Sequence, residues 1–353
     1  MSKSAFKLHL EELRTTVEAA LIQELARASW PISLKAAVEY SLMAGGKRLR
    51  PVLVLLANEV CGGRQEEALS AACAIEMIHT YSLIHDDLPS MDDDDFRRGR
   101  PTSHKVFGEA LAILAGDCLL TMAFETLASA KIQAGQIAEL TRILAISAGG
   151  GGMVGGQVLD LEAERGSFLN ARSGTSGSGN DEKTGCESAQ PAVIAGLASA
   201  CFSALLPASL PSVGNSEQNE SNQTVETRVV ELGQIHKMKT GALIAGALEL
   251  GAVCASADLA SRIQLRHYGH CIGLAFQIAD DLLDVTGDQT KLGKTPGRDV
   301  DLGKLTYPSL MGIELSKTKA EQLVQEAWQA VDIFGDRGVW LKDLARFIVE
   351  RDH

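Results

Sequence analysis

Apolar side chains recur at spacings of three and four residues along most of this 353-residue chain. That period is typical of amphipathic α-helices, and the alternation expected of strands is nearly absent. Residues 71–84 and 272–283 are apolar on most faces, as in helices at the centre of a bundle. The pattern therefore predicts an all-α protein with helices over residues 52–60, 68–84, 109–131, 137–148, 229–254, 260–285 and 319–334.

The stretch 166–225 departs from this pattern. Eight of the nine residues 172–180 are Gly, Ser, Thr or Asn, and 212–224 is almost wholly polar. Such composition is typical of flexible linkers. We expect one domain over residues 1–353, with 166–225 as an inserted low-complexity segment that is partly disordered. Alternatively, residues 191–210 form a small helical element that packs on the domain, a partner or a membrane surface.

Charge and composition exclude some functional classes. The chain has 33 Lys and Arg against 45 Asp and Glu, a net charge of −12, so nucleic acid is not an expected partner. The uncharged segment 189–210 is broken by two prolines, and we expect no transmembrane segment. The seven cysteines form no CxxC pair, and residues 1–21 lack the apolar core of a signal peptide. These features favour a cytoplasmic protein.

A dense acidic cluster follows the apolar stretch that ends near residue 84. The sequence DDLPSMDDDD at 86–95 places six carboxylates within ten residues, followed closely by Arg97 and Arg98. An isolated acidic run is commonly a solvated loop. The spacing excludes an EF-hand, which needs alternating ligands, a central glycine and a final glutamate.

A second acidic cluster makes a structural role a poor explanation. The sequence QIADDLLD at 277–284 again ends an apolar helix, and Asp280 and Asp284 would share one helical face. Like charges there repel unless cations neutralise them. Carboxylate oxygens at this density suit Mg²⁺, which also takes water and phosphate oxygens as ligands. The two clusters could face each other across a cavity and hold a diphosphate.

Basic residues could bind the same kind of anion. The sequence GGKRLRP at 45–51 is a basic turn that opens a helix, where backbone N–H groups favour anions. Lys237, Lys239 and Lys294 are further candidates, and His79 could be a ligand or an ordinary core histidine. The glycines of 149–156 lack the ending of a phosphate-binding loop, so they favour close helix packing instead.

Taken together, these motifs resemble the short-chain trans-polyprenyl diphosphate synthases, most closely the bacterial-type farnesyl diphosphate synthases. The resemblance covers nearly the whole chain except 166–225. It implies one helical bundle around a central cavity, of the isoprenoid synthase type. The matching stretches are GGKRLRP, YSLIHDDLPSMDDDDFRRGRPTSHKVFGE, AILAGDCLL, GGQVLDLEAE, HKMKTGALI, FQIADDLLD, GKTPGRD and GKLTYP.

The resemblance also implies roles for individual residues, with Mg²⁺ as the cofactor and three ions when substrate is bound. The implied metal ligands are Asp86, Asp87, Asp92, Asp280, Asp281 and Asp284. The implied contacts to isopentenyl diphosphate are Lys47, Arg50, His79 and Arg98, and those to the allylic diphosphate are Arg97, Lys239, Thr240, Gln277 and Lys294. Catalysis would depend chiefly on Asp86, Asp92, Arg97, Lys239 and Asp280, and chain length on Tyr81 and Ser82.

The activity implied is the head-to-tail condensation of isopentenyl diphosphate with dimethylallyl and geranyl diphosphates, giving farnesyl diphosphate. The family also implies a homodimer. A geranylgeranyl diphosphate synthase is the main alternative. A class I terpene cyclase would usually replace the second DDxxD motif, and a non-catalytic regulatory subunit would tend to lose motif aspartates, so both fit less well.

Overall fold

The computed structural model describes residues 3–173, 216–286 and 305–350, with side chains described over 4–163, 225–286 and 305–350. Most of the predicted insertion 166–225 lies outside these ranges. So does the segment 287–304, which contains Lys294 and the GKTPGRD sequence. The expectations for those residues therefore stay predictions.

Helices make up almost all of the described chain, which confirms the all-α class. A π-helical turn covers Lys237–Gly241, and a 3₁₀ turn covers Asp332–Gly338. The α-helices are α1 Lys3–Arg27, α2 Ile32–Leu42, α3 Leu49–Val60, α4 Gln65–Asp86, α5 Ser103–Phe107, α6 Glu109–Ala128, α7 Ala134–Ala148, α8 Met153–Ser173, α9 Ser216–His236, α10 Ala242–Cys254, α11 Leu259–Thr286, α12 Tyr307–Met311, α13 Ile313–Val331 and α14 Val339–Val349.

Two short strands form a hairpin directly after the first acidic cluster. Strand β1, Phe96–Arg97, pairs antiparallel with β2, Arg100–Pro101, so that Phe96 lies opposite Pro101. The two residues between them, Arg98 and Gly99, have φ of +54° and +73°. Positive φ at both positions is the conformation of a tight two-residue hairpin turn. The hairpin fixes the positions of two candidate arginines.

Helix α10 lies at the centre of the bundle. Every residue from Leu243 to Cys254 is buried, as expected of a helix that is apolar all round. It packs against α3, α4, α7 and α11, while α4 also packs on α6 and α11 on α13. The buried apolar side chains of these helices form one continuous core. Helices α4 and α11, whose last turns carry the acidic clusters, are thus anchored by that core.

The sequence pattern was wrong about some boundaries. The helix predicted over 229–254 is interrupted by the π-helical turn. Helices α8 and α11 pack directly on the backbone of this turn, through Gly156 and Gly273. The helix predicted over 109–131 ends at Ala128, where Ser129 leaves the helical conformation with ψ of 0°. The last predicted helix starts earlier, at Ile313, and gives way to the 3₁₀ turn at Asp332.

Among the described helices, α6 is long and apolar enough to cross a membrane by length and composition alone. In the fold, 44% of its most apolar window is buried inside the protein. A core helix of a globular bundle passes the same test, so this one helix is weak support for a membrane span.

Candidate active site

The first acidic cluster begins where α4 ends. Asp86 is the last residue of the helix, and the loop after it turns back so that the backbone N–H of Asp92 donates to the carbonyl of Asp86 at 2.8 Å. This turn brings Asp86 and Asp92 close together. Burial raises the pKa of Asp86 to about 6; the charge of Lys239 opposes that rise, and the charge of Asp92 adds to it. A carboxylate in such surroundings favours a bound cation.

Asp87 has different surroundings. The residue is 3% exposed, and its side chain accepts from Nε of Arg97 at 2.6 Å, with Nη2 of the same arginine 2.5 Å from the same oxygen. Arg97 also lies 3.5 Å from Asp94. The pair ties the hairpin to the end of α4. Arg97 therefore contacts protein carboxylates in this structure, at the edge of the site where the sequence predicts an allylic diphosphate.

Lys239 faces Asp86 from the π-helical turn. Its Nζ lies 2.6 Å from Oδ2 of Asp160 on α8, while its charge lowers the pKa of Asp86. Helix α8 can come this close because of Gly156. A Cβ atom there would lie 2.2 Å from the backbone nitrogen of Lys239. On the other side, a Cβ on Gly273 of α11 would lie 3.0 Å from Cα of Gly241.

Asp160 is a site residue that the sequence reasoning missed. It lies in the GGQVLDLE stretch, four residues after Gly156 and therefore on the same face of α8. The four-residue spacing could have indicated this role. A helix face that approaches a lysine closely, here at Gly156, can also provide the carboxylate that pairs with that lysine. Gly155 and Gly156 allow close packing of α8 on the π-helical turn, as the sequence predicted, whereas Gly150 and Gly151 have open space around them. Thr240 and Gln277 are each half-buried.

A group of basic residues lies further back along α4, around His79. Burial is the main cause that lowers the pKa of His79 well below its usual value, and the charges of Arg50, Arg98, Arg97 and Arg48 lower it further. Burial also lowers the pKa of Arg50 to about 10. Nε of Arg50 is buried without a hydrogen-bond partner. Positive groups gathered this way repel one another and suit a bound anion.

The predicted isopentenyl diphosphate residues come from three separate segments. Arg50 is on the first turn of α3, His79 is on α4, and Arg98 in the hairpin turn donates to the carbonyl of Gly45. That bond holds the hairpin against the basic turn. Lys47 is exposed on the same turn. The structure thus brings Arg50, His79 and Arg98 to one place, with Lys47 at its rim.

Arg48 was not a predicted site residue, and its side chain is fully buried in the protein interior. Its side chain is 0% exposed, and Nη1 lies 2.7 Å from Oε1 of Glu76, whose side chain is 2% exposed. Nη2 donates to the carbonyl of Leu42 at 2.7 Å. The residue has a left-handed φ of +49° at the start of α3. Arg48 therefore anchors the basic turn from beneath.

The second acidic cluster is in the last turns of α11. Asp280 is exposed, and Asp281 is 7% exposed with Oδ2 accepting from the backbone N–H of Tyr307 at 2.9 Å. Oδ2 of Asp284 is buried without a hydrogen-bond partner. The negative end of the helix dipole makes carboxylates here still less favourable. These donors fit Mg²⁺, which prefers hard oxygen ligands and would satisfy the orphaned oxygen of Asp284. The hydrogen bond of Asp281 joins α11 to α12.

Tyr81 lies below the first acidic cluster. It is 7% exposed, its ring meets the His85 ring edge-on with centroids 5.8 Å apart, and burial followed by the charge of Asp86 raises its pKa. Helix α6 closes the space on this side: a Cβ on Gly116 would lie 2.2 Å from Nε2 of His85. Ser82 donates to the carbonyl of His79 at 2.9 Å.

Fold and site together describe a helical bundle with a cluster of carboxylates at the end of α4 and a cluster of basic side chains around His79 on the same helix. A family model described as polyprenyl synthetase matches residues 32–202 and 212–332. The chain is 40% identical over 325 residues to geranylgeranyl pyrophosphate synthase 7, chloroplastic, of Arabidopsis thaliana, covering 92% of this chain and 78% of the relative.

Two further proteins extend the likeness. The dimethylallyltranstransferase of Fischerella ambigua (strain UTEX 1903) is 37% identical over 357 residues, covering 100% of this chain and 86% of the relative. The crystal structure of an FPP/GFPP synthase from Zymomonas mobilis matches with a TM-score of 0.72 and 34% identity, covering 98% and 99% of the two chains. The chain therefore belongs to the polyprenyl synthetase family of prenyltransferases.

Proposed function

We propose that this protein condenses isopentenyl diphosphate with dimethylallyl and then geranyl diphosphate, head to tail, and releases farnesyl diphosphate and pyrophosphate. One observation carries the proposal. A carboxylate with a raised pKa faces Lys239 at the end of α4, and His79 stands among arginines seven residues earlier on the same helix. The basic group could bind one diphosphate directly, and the carboxylates could bind a second diphosphate through a cation. Two such neighbouring sites suit two diphosphate substrates.

Isopentenyl diphosphate is assigned to the basic group. Arg50, Arg98 and Lys47 supply positive charge, and arginine suits bidentate contact with phosphate oxygens. His79 is held neutral by its surroundings, so it contributes one N–H donor and no charge. Arg48 stays on Glu76 and holds the turn that presents Lys47 and Arg50.

The allylic diphosphate is assigned to the space between the two acidic clusters. Asp86 and Asp92 on one side and Asp280 and Asp284 on the other would hold Mg²⁺, with three ions in the substrate complex. Asp87 and Asp281, which contact protein groups here, complete the two motifs. Bound Mg²⁺ would supply positive charge that stabilises pyrophosphate as it departs.

The chain's own groups provide the remaining stabilisation. Lys239, with Thr240, Gln277 and Arg97 around the same space, would contact the leaving pyrophosphate, where negative charge grows in the transition state. The bond between the allylic carbon and oxygen breaks, and the apolar walls keep the resulting carbocation from water. The double bond of isopentenyl diphosphate then forms the new carbon–carbon bond. A proton is lost, and we assign its acceptance to pyrophosphate.

Chain length is assigned to Tyr81. The residue is five positions before Asp86, about 7.5 Å back along the helix axis, and its buried ring lies where a growing chain would extend. A ring there favours a product of fifteen carbons. The names of relatives such as the Arabidopsis protein favour geranylgeranyl diphosphate instead, and that product is the second candidate.

Product analysis separates these candidates. The purified protein should be incubated with dimethylallyl and isopentenyl diphosphates and Mg²⁺, and the products separated by chain length. We expect fifteen-carbon product from the wild type and from the matched control Tyr81→Phe, and longer products from Tyr81→Ala. An unchanged product from Tyr81→Ala would refute the role of the ring. Absence of any condensation product would refute the enzymatic function, and cyclic hydrocarbons would indicate a terpene cyclase.

We also propose a homodimer. Large apolar side chains are exposed on three consecutive helices, with Leu114 of α6 55% exposed, Ile146 of α7 53% and Val158 of α8 48%. Helices α6 and α7 are consecutive and pack on each other. A second copy would cover such a surface. Light scattering should give a dimer mass for the wild type and a monomer mass for Leu114→Glu with Ile146→Glu.

The cytoplasm remains our proposed location. Several relatives are named chloroplastic, which makes a plastid the alternative. Fractionation of cells that produce the full chain with a fluorescent tag at its carboxyl end would distinguish the two.

A further inference from the structure

A cluster of three potential metal ligands lies between α11 and α13, away from the aspartates. His267 and Cys271 are four residues apart on α11, so they share one face, and Glu326 of α13 lies against them. Sγ of Cys271 is 3.9 Å from Nε2 of His267 and 3.8 Å from Oε2 of Glu326. All three ligand atoms are within 4.8 Å of one another.

This cluster is separate from the proposed Mg²⁺ site. Cys271 is nine residues before Asp280, which is about 13 Å along the axis of α11. Its ligand types also differ from those of the acidic clusters. Thiolate and imidazole are ligands of zinc and other transition metals, whereas Mg²⁺ takes oxygen ligands.

The geometry is close to that of a tetrahedral zinc site. Zinc binds sulfur at about 2.3 Å and nitrogen or oxygen at about 2.0–2.2 Å, which puts ligand atoms roughly 3.5 Å apart. The two separations that involve Sγ exceed this by a few tenths of an ångström, and the third exceeds it by at most about 1.3 Å. Rotations of the exposed His267 and half-buried Glu326 side chains can close that difference, and the buried Cys271 fixes the centre.

We propose that His267, Cys271 and Glu326 bind one zinc ion, with water in the fourth position. The ion would link α11 to α13, which are extensively packed on each other, and so would brace the helix that carries the second acidic cluster. Lys319 is the competing cation: burial lowers its pKa, and the nearby Glu326 and Cys271 oppose that lowering. In that alternative the lysine ammonium neutralises the cluster and no metal binds.

Cobalt substitution tests the site directly. The full-length, reduced protein should be titrated with Co²⁺ in excess Mg²⁺, which fills carboxylate sites. We expect one equivalent to produce a thiolate-to-cobalt charge-transfer band in the near ultraviolet, and Zn²⁺ to abolish it. The band should vanish in Cys271→Ser and persist in Cys118→Ser, a matched control in α6. No band, or a band that survives in Cys271→Ser, would overturn the proposal.

A second measurement does not depend on the cysteine variant. Zn²⁺ in excess Mg²⁺ should raise the melting temperature of the wild type, since a ligand that binds only the folded state stabilises it. His267→Gln changes an exposed residue and should fold normally. We expect it to weaken zinc affinity at least about tenfold. Removing a residue that only hydrogen-bonds to a metal ligand already weakens affinity by about that factor, and His267 would be a ligand itself. Equal zinc-induced shifts in both proteins would contradict the assignment.

Discussion

Replacing Arg48 by Met should destabilise the protein strongly, because it leaves a buried carboxylate without its partner. Arg48 and Glu76 have side chains that are 0% and 2% exposed, and their nearest atoms are 2.7 Å apart. Methionine keeps most of the volume of the arginine stem but neither its charge nor its donors. The substitution also removes the bond from Arg48 to the carbonyl of Leu42, which closes the end of α2.

The expected size follows from this burial. Removing one partner of a buried ion pair costs about 3–5 kcal/mol, because the remaining charge stays desolvated and unpaired. An exposed pair is worth only about 0–1 kcal/mol. Arg14 with Glu11 is such a pair, at 2.6 Å with side chains 40% and 54% exposed. Arg14→Met is therefore a matched control that removes the same chemical groups from the surface.

Urea unfolding followed by circular dichroism measures the difference. We expect a large fall in the unfolding midpoint for Arg48→Met, little change for Arg14→Met, and recovery of most of the loss in the double variant Arg48→Met with Glu76→Leu. Recovery is expected because replacing both buried charges by apolar groups is often neutral or better. If Arg48→Met and Arg14→Met shift the midpoint equally, the buried-pair argument is wrong. If the double variant is the least stable, the cost comes from packing instead.

Three further predictions follow from the site. Asp86→Asn should stabilise the protein in EDTA at pH 8 by roughly 2–3 kcal/mol while abolishing activity, because a pKa raised to about 6 means that the charged form is disfavoured on folding. This stability gain over the wild type should shrink as the pH falls from 6 towards 4, because the folded wild type then protonates Asp86. Calorimetry of both proteins across this range checks the direction of the change. Gly156→Ala should sharply reduce kcat, because its Cβ would lie 2.2 Å from a backbone nitrogen in the π-helical turn, whereas Gly135→Ala, with open space around it, should not. Asp281→Ala should lower the free energy of unfolding by about 1–3 kcal/mol in urea titrations, because the N–H of Tyr307 loses its acceptor. If stability is normal and the Mg²⁺ dependence of activity changes, Asp281 is a direct metal ligand instead.

The acidic clusters could be found from sequence because each places several carboxylates within a few residues of one another at the end of an apolar helix. Repelling carboxylates at the ends of two apolar helices are unfavourable unless something binds them. The helical class was equally accessible, because the apolar period repeats over most of the chain. The residues of the two clusters therefore stood out before their positions in space were known.

The π-helical turn and its lysine were not accessible in the same way. A continuous apolar pattern over 229–254 predicts one helix. The break at Lys237–Gly241 arises where α8 and α11 pack closely on it through Gly156 and Gly273. Asp160 became part of the site through the same contact. Such contacts join residues about 80 positions apart, which local periodicity does not encode.

The sequence by itself determined the helical class, and it located the two acidic clusters and the basic residues that are candidates to bind diphosphate. Only the tertiary structure decided which of those residues face the site. Arg48 and Arg50 have the same side chain two positions apart, yet Arg48 is fully buried on Glu76, while Arg50 is half-buried and has the largest effect of the four arginine charges that lower the pKa of His79. The difference depends on the direction in which α3 packs against α4. That direction is set by the burial of apolar surface from the whole bundle, which no short stretch of sequence specifies.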